Sequence, residues 1–116
     1  MVEKDNDIVS LMECTSKPTR KYLLHTAAYT GRTWRRTFVN IGIDEQIIEN
    51  YLYENPREPI REIRYQILLD WLRNSENATL GYLSANLWEN GHRQLVNELA
   101  SMYREERLNE EPELEL

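Results

Sequence analysis

The run Thr33-Trp34-Arg35-Arg36 sets two arginines against an indole, with Asp70-Trp71-Leu72 and Asn77-Ala78-Thr79-Leu80 downstream. Trp34, Phe38 and Ile41 recur at i, i+4 and i+7, which is one face of a helix. A stripe that apolar turns inward, so Arg35 and Arg36 are turned outward. Gly42 stops the segment. Repeated along the chain, short helical stripes closed by glycine, proline or capping residues allow a small helical bundle and little else. Its surface, and not a pocket, is then the part available for function.

The remaining helices follow from the same punctuation. Thr19 to Thr30 carries Leu23, Leu24, Ala27 and Ala28 on one face and ends at Gly31, a residue suited to a helix C-terminus. Asp44 can cap a third helix, with Ile43 and Ile48 as a hydrophobic staple and Ile47, Ile48, Tyr51 and Leu52 inside. Asn55-Pro56 interrupts the pattern, because the residue before proline is pushed out of the α region. A fourth helix runs from about Pro59 to Arg73 with Ile60, Ile63, Ile67, Leu68 and Trp71 along one side. Asn77 and Thr79 are both able to cap a fifth, which carries Leu80, Leu83 and Leu87 inward. Gly81 lies inside it at a cost of roughly 1 kcal/mol relative to alanine; a close crossing or chance would each account for it. Trp88 is either inward or an exposed binding anchor. Leu95, Val96, Leu99 and Met102 define the sixth helix.

The spacing therefore predicts an all-α fold of six short helices packed mainly antiparallel, spanning residues 19–104. Residues 1–18 read as a mostly disordered leader in which Ile8, Val9, Leu11 and Met12 are able to form a short helix or to pack on the domain. Residues 105–116 read as an acidic, disordered tail containing Pro112. The total of 116 residues suits one domain. No apolar run approaches the ~20 residues of a membrane span. Met1 to Ser10 is charged and has no signal-peptide core.

Charge is distributed unevenly. The net charge is −6, yet no acid occurs between Cys14 and Ile43, where Lys17, Arg20, Lys21, Arg32, Arg35 and Arg36 all fall. Glu105, Glu106, Glu110, Glu111, Glu113 and Glu115 face only Arg107 at the other end. Such polarity suits partners of complementary charge, or is a plainly solvated surface. A nucleic-acid face built from these cations with Tyr22, Tyr29 and Trp34 is the competing reading, opposed by a pI near 5.0. Catalysis finds no constellation. His25 and His92 are far apart, Cys14 is a single thiol without a disulfide partner, and no glycine-rich phosphate loop exists. The reading is of no catalytic residue, no metal and no cofactor. Asn77-Ala78-Thr79 fits the glycosylation pattern but in a chain without secretory features.

Several of these residues, in order, resemble the death-domain family. Gly31-Arg32-Thr33-Trp34-Arg35-Arg36 followed by Ile41-Gly42-Ile43 is similar to the second-helix region. Leu68-Leu69-Asp70-Trp71 is similar to the fourth-helix signature, and Asn77-Ala78-Thr79-Leu80 with Leu83, Leu87, Gly91 and Leu95-Val96 to the closing helices. Trp34-Arg35-Arg36 and Glu54-Asn55-Pro56-Arg57 are most similar to the Fas-associated adaptor branch, including its insect innate-immunity members. The immune-deficiency adaptor branch is the rival. Val39 departs from the pattern, standing where vertebrate members tend to carry a further arginine.

The resemblance implies a six-helix antiparallel Greek-key bundle, the death-domain fold. It implies a cytoplasmic signalling adaptor, not an enzyme, that binds other death-domain proteins. Such a module recruits a caspase indirectly, for apoptotic or innate immune signalling, and enters higher-order hetero-oligomers. A receptor-proximal adaptor or a kinase is the alternative parent. The surface residues expected to carry partner binding are Arg32, Arg35 and Arg36; Asp44, Glu45 and Glu49; and Arg57, Arg61 and Arg64.

Overall fold

The structure, a computed structural model, describes residues 2–110, and the side chains of residues 6–109. Among the described residues every regular element is helical. Seven α-helices follow one another: α1 (Val2–Met12), α2 (Arg20–Tyr29), α3 (Trp34–Ile41), α4 (Glu45–Glu54), α5 (Ile60–Asn74), α6 (Leu80–Glu89) and α7 (Arg93–Glu110). A 3-10 turn, Gly31–Thr33, leads into α3. No helix is long and apolar enough to cross a membrane among the described residues. The six helices expected from the stripes are α2 to α7, and α1 is an additional one.

Helix ends form where the chemistry of the termini is satisfied. Gly42 has φ of 117°, a left-handed conformation that closes α3. Its amide donates to the Val39 carbonyl at 3.0 Å and that of Ile43 to Phe38 at 3.0 Å, the two bonds of a Schellman motif. Asp44 then caps α4, its Oδ1 accepting the Gln46 amide at 2.8 Å. Ile43 and Ile48 are both buried, as a staple requires. Thr79, and not Asn77, caps α6: its Oγ1 accepts the Tyr82 amide at 3.0 Å.

The segment before residue 19, read from sequence as a leader, belongs to the folded unit. Helix α1 packs against α6 and α7, and Leu11 is completely buried. The link that follows α1 lies on the N-terminus of α6. Two of the amides that a helix start leaves unpaired, those of Leu80 and Gly81, donate to the carbonyls of Ser16 at 2.8 Å and Cys14 at 3.0 Å. The approach is so close that a Cβ on Gly81 would lie 2.3 Å from the Met12 carbonyl oxygen and 2.7 Å from that of Cys14. Gly81 is therefore a contact glycine, and its close neighbour is the end of α1. Residues 105–110, expected in a tail, continue α7; 111–116 lie outside the described residues.

The core runs through all seven helices, with Trp34 edge-on to Phe38 at 5.3 Å between ring centres and Trp71 stacked near Tyr82 at 6.4 Å. Helix α2 is rotated relative to the sequence expectation. Its inner face is Tyr22, Leu23, Thr26 and Ala27, while Leu24 is exposed. The polar atoms of this face have partners that aliphatic spacing does not reveal. Tyr22 donates its hydroxyl to Glu106 of α7 at 2.6 Å, and Thr26 to the Tyr22 carbonyl at 2.8 Å. Ile60, expected inside, is exposed at the first turn of α5.

Candidate partner-binding surface

The cations of α3 are positioned by its buried side. With Trp34, Thr37, Phe38 and Ile41 facing the core, the outer face presents Arg36, Val39 and Asn40, with Arg32 in the turn before it. Arg32 and Arg36 are exposed and take part in no salt bridge among the described residues. Val39 is also exposed and lies one helical turn beyond Arg36, so the basic face has an apolar centre.

Arg35 behaves differently. Its guanidinium bonds to Glu49 and lies 3.9 Å from Glu45. Glu45 and Glu49 are four residues apart on α4, so one arginine of α3 bridges both carboxylates. Two groups of residues that read as separate patches are one continuous surface across α3 and α4. Asp44 is exposed at its edge, with one carboxylate oxygen used as the α4 cap. Tyr53 follows Glu45 and Glu49 at the same four-residue interval and is 87% exposed. Sequence reasoning missed Tyr53, although its interval from the two glutamates was legible. The acidic side of the surface thereby gains an aromatic centre, a residue type enriched at binding hot spots.

The third group separates. Arg57, in the α4–α5 turn, and Arg61, in the first turn of α5, are exposed. Arg64 is half-buried and turned back on the fold. It donates to the carbonyls of Ala27 at 3.0 Å and Gly31 at 3.4 Å, and its guanidinium lies 5.5 Å from the Trp34 ring centre. A cation there satisfies carbonyls at the C-terminal end of α2 and complements the helix dipole. Burial, and after it the neighbouring Arg61, lower its pKa. In the folded domain Arg64 ties α5 to α2 and the 3-10 turn, which corrects its expected place on the binding surface.

One of the two histidines lies on the periphery of this surface. His92 follows the glycine that closes α6, and its Nε2 is 2.7 Å from Thr37 Oγ1 of α3. Burial, and after it the Arg36 guanidinium, hold its imidazole below the usual value. His25 pairs with Glu98 of α7 at 2.7 Å, away from α3 and α4. That hydrogen bond, with a further one from Gln94, holds the Glu98 carboxyl below its ordinary range.

A depressed imidazole pKa means that the folded domain resists protonation there. The stability this contributes is present above the unfolded value near 6.5 and is lost as pH falls below it. Unfolding midpoints in urea should therefore decline between about pH 7 and pH 5. His92→Gln, which keeps a hydrogen-bonding group toward Thr37 but does not titrate, should flatten that decline. An unchanged slope in the variant would remove His92 as the source.

No group of three or more metal-binding side chains occurs among the described residues. The α3–α4 surface offers charge and two flanking apolar centres, Val39 and Tyr53. A concavity of about 160 Å³ beside it lies between Ile43, Asp44, Ile47 and the end of α5 at Asp70, Trp71 and Asn74. Compared with protein-family models, curated proteins and solved structures, the chain matches none.

Proposed function

We propose that the chain is a protein-interaction module of the death-domain type, a cytoplasmic adaptor domain without catalysis that binds another death domain through the α3–α4 surface. The motif order described above supports the family, most closely the Fas-associated adaptor branch, and the Greek-key arrangement goes with it. The observation that carries the functional reading is the composition of that surface. Arg32 and Arg36, exposed and in no salt bridge among the described residues, share the α3 side with exposed Val39, and Asp44, Glu45 and Glu49 share α4 with exposed Tyr53. A module with unlike patches meets a partner's opposite patch, and such contacts extend into larger assemblies that bring a caspase close to its copies.

Exposed ion pairs contribute only ~0–1 kcal/mol each. Recognition here needs the two apolar centres as well as the charges. The Arg35–Glu45–Glu49 bridge links α3 and α4 at the surface, so Arg32, Arg36 and Val39 are the freer partner contacts on the basic side, and Asp44, the glutamates and Tyr53 those on the acidic side. Arg57 and Arg61 serve a separate face.

The test is a charge reversal with a fold control. Arg32→Glu with Arg36→Glu should abolish binding to recombinant death domains, measured by calorimetry across a panel, with circular dichroism and melting temperature nearly unchanged. Arg35→Glu should also weaken binding, but with some loss of stability, since it faces two glutamates. Undiminished binding by the double variant would refute the surface assignment. Binding of duplex DNA or RNA at moderate salt, lost in the same variant, would replace the adaptor reading with the nucleic-acid one.

A further inference from the structure

The cavity beside the start of α4 is small and carries charge of one sign. Its volume is about 160 Å³, well below the ~300 Å³ at which small-molecule sites begin. Ile43, Ile47 and Trp71 give it an apolar wall, and Asp44 and Asp70 are its charged groups. No lysine, arginine or histidine lines it. Asp70 accepts the Tyr51 hydroxyl at 2.9 Å and the Asn74 side-chain amide at 3.0 Å; Asp44 accepts the Gln46 backbone amide at 2.8 Å. A carboxylate has about four acceptor sites, so both keep capacity. Neither forms a salt bridge among the described residues. Arg73, three residues from Asp70, is exposed and outside the lining, and Glu45, next to Asp44, lies 3.9 Å from Arg35.

The last turn of α5 adds to this field. Trp71, Asn74 and Ser75 line the cavity, and no backbone amide beyond α5 returns to its closing carbonyls among the described residues. A helix C-terminus left open in this way carries partial negative charge and favours a cation. The opposing positive end of α4 is already capped by Asp44. A metal ion does not fit, because no third metal-binding side chain joins the two carboxylates among the described residues. A small free cation would leave the indole and isoleucine wall uncovered. A long side chain with an apolar stem and a cationic tip matches both halves, and a cation near an indole gains a further attraction.

The geometry points to a socket for one arginine or lysine of the protein partner. The stem lies along Ile43, Ile47 and Trp71, and the cation sits between Asp44 and Asp70. This rests on the α3–α4 reading, since Asp44 belongs both to that surface and to the cavity. It adds the kind of residue that the partner inserts. One side chain by itself binds in the millimolar range, and salt weakens the contact.

Titration of the ¹⁵N-labelled full chain with blocked arginine and with blocked lysine (N-acetyl, N-methylamide), to about 50 mM at constant ionic strength, tests the socket by itself. Blocked citrulline, a neutral analogue of arginine, is the control. The expected result is saturable shifts of the Trp71 indole and of amides in residues 42–47 and 70–75 with at least one of the cations, and none with citrulline. The tighter of the two identifies the partner residue. Asp44→Asn and Asp70→Asn keep an acceptor oxygen and remove the charge, and asparagine caps a helix as well as aspartate does. Each should raise Kd about threefold to fivefold, the scale of one exposed ion pair, with circular dichroism unchanged. No saturation with either cation, equal shifts with citrulline, or an unchanged Kd in both variants would overturn the proposal. Arg32→Glu with Arg36→Glu, which tests the α3–α4 surface, should leave this titration unchanged, so the socket and the wider surface stand or fall separately.

Discussion

Trp71→Ala should lower the free energy of unfolding by about 3–5 kcal/mol, the range for truncating a fully packed aromatic. Trp71 is 5% exposed on α5 and stacks near the Tyr82 ring of α6. Tyr82 in turn donates its hydroxyl to the Ile41 carbonyl at the end of α3, at 2.9 Å. Removing the indole opens a cavity and also frees the ring that ties α6 to α3, two helices away from the substitution. Small domains have only about 5–15 kcal/mol in total, so the variant should be partly unfolded at room temperature or melt tens of degrees lower. Urea denaturation followed by circular dichroism measures it. A melting temperature close to wild type would remove Trp71 from the core.

Gly81→Ala tests a subtler claim, because sequence and structure disagree on its sign. As an interior helix position it should gain roughly 1 kcal/mol on replacement by alanine. The structure reverses this. The added carbon would meet the backbone oxygens of Met12 and Cys14 at 2.3 and 2.7 Å, and backbone cannot swing aside as a side chain does. The end of α1 has to lift from α6, with loss of the bonds from the Leu80 and Gly81 amides and strain on the burial of Leu11. The net cost should be about 2–4 kcal/mol, above the usual overpacking penalty. Amide hydrogen exchange should show α1 losing protection while α5 keeps it. A variant as stable as wild type, with α1 still protected, would contradict the seating of α1 on α6.

Gly81 also shows why the sequence left this segment in a mostly disordered leader, with a short helix or packing on the domain only as options. Ile8, Val9, Leu11 and Met12, adjacent to charges and without a stop signal of their own, are a weak stripe. What holds α1 is tertiary: a glycine seventy residues away admits its carbonyls. The other helices were legible because each carries its own punctuation, such as the Gly42–Asp44 stop and cap or Thr79 before Leu80. Helix α2 was placed correctly but rotated, since aliphatic spacing prefers Leu24 to Tyr22. The tyrosine can be buried because Glu106, eighty-four residues on, accepts the hydrogen bond its hydroxyl donates.

The candidate surface divides in the same way. That Arg35 and Arg36 point outward followed from the Trp34 stripe. That Arg35 spans to Glu45 and Glu49 did not, because periodicity gives the face of a helix and not the helix it meets. Arg64 read as surface charge for a similar reason; only the fold shows carbonyls of Ala27 and Gly31 within its reach.

The most direct test is to titrate the ¹⁵N-labelled chain with recombinant death domains of the Fas-associated and immune-deficiency adaptor types and follow each amide. Binding through the proposed surface should move resonances within residues 32–40 and 45–53 and leave those buried in α7 unmoved. No perturbation with any of them, or shifts confined to other helices, would contradict the account.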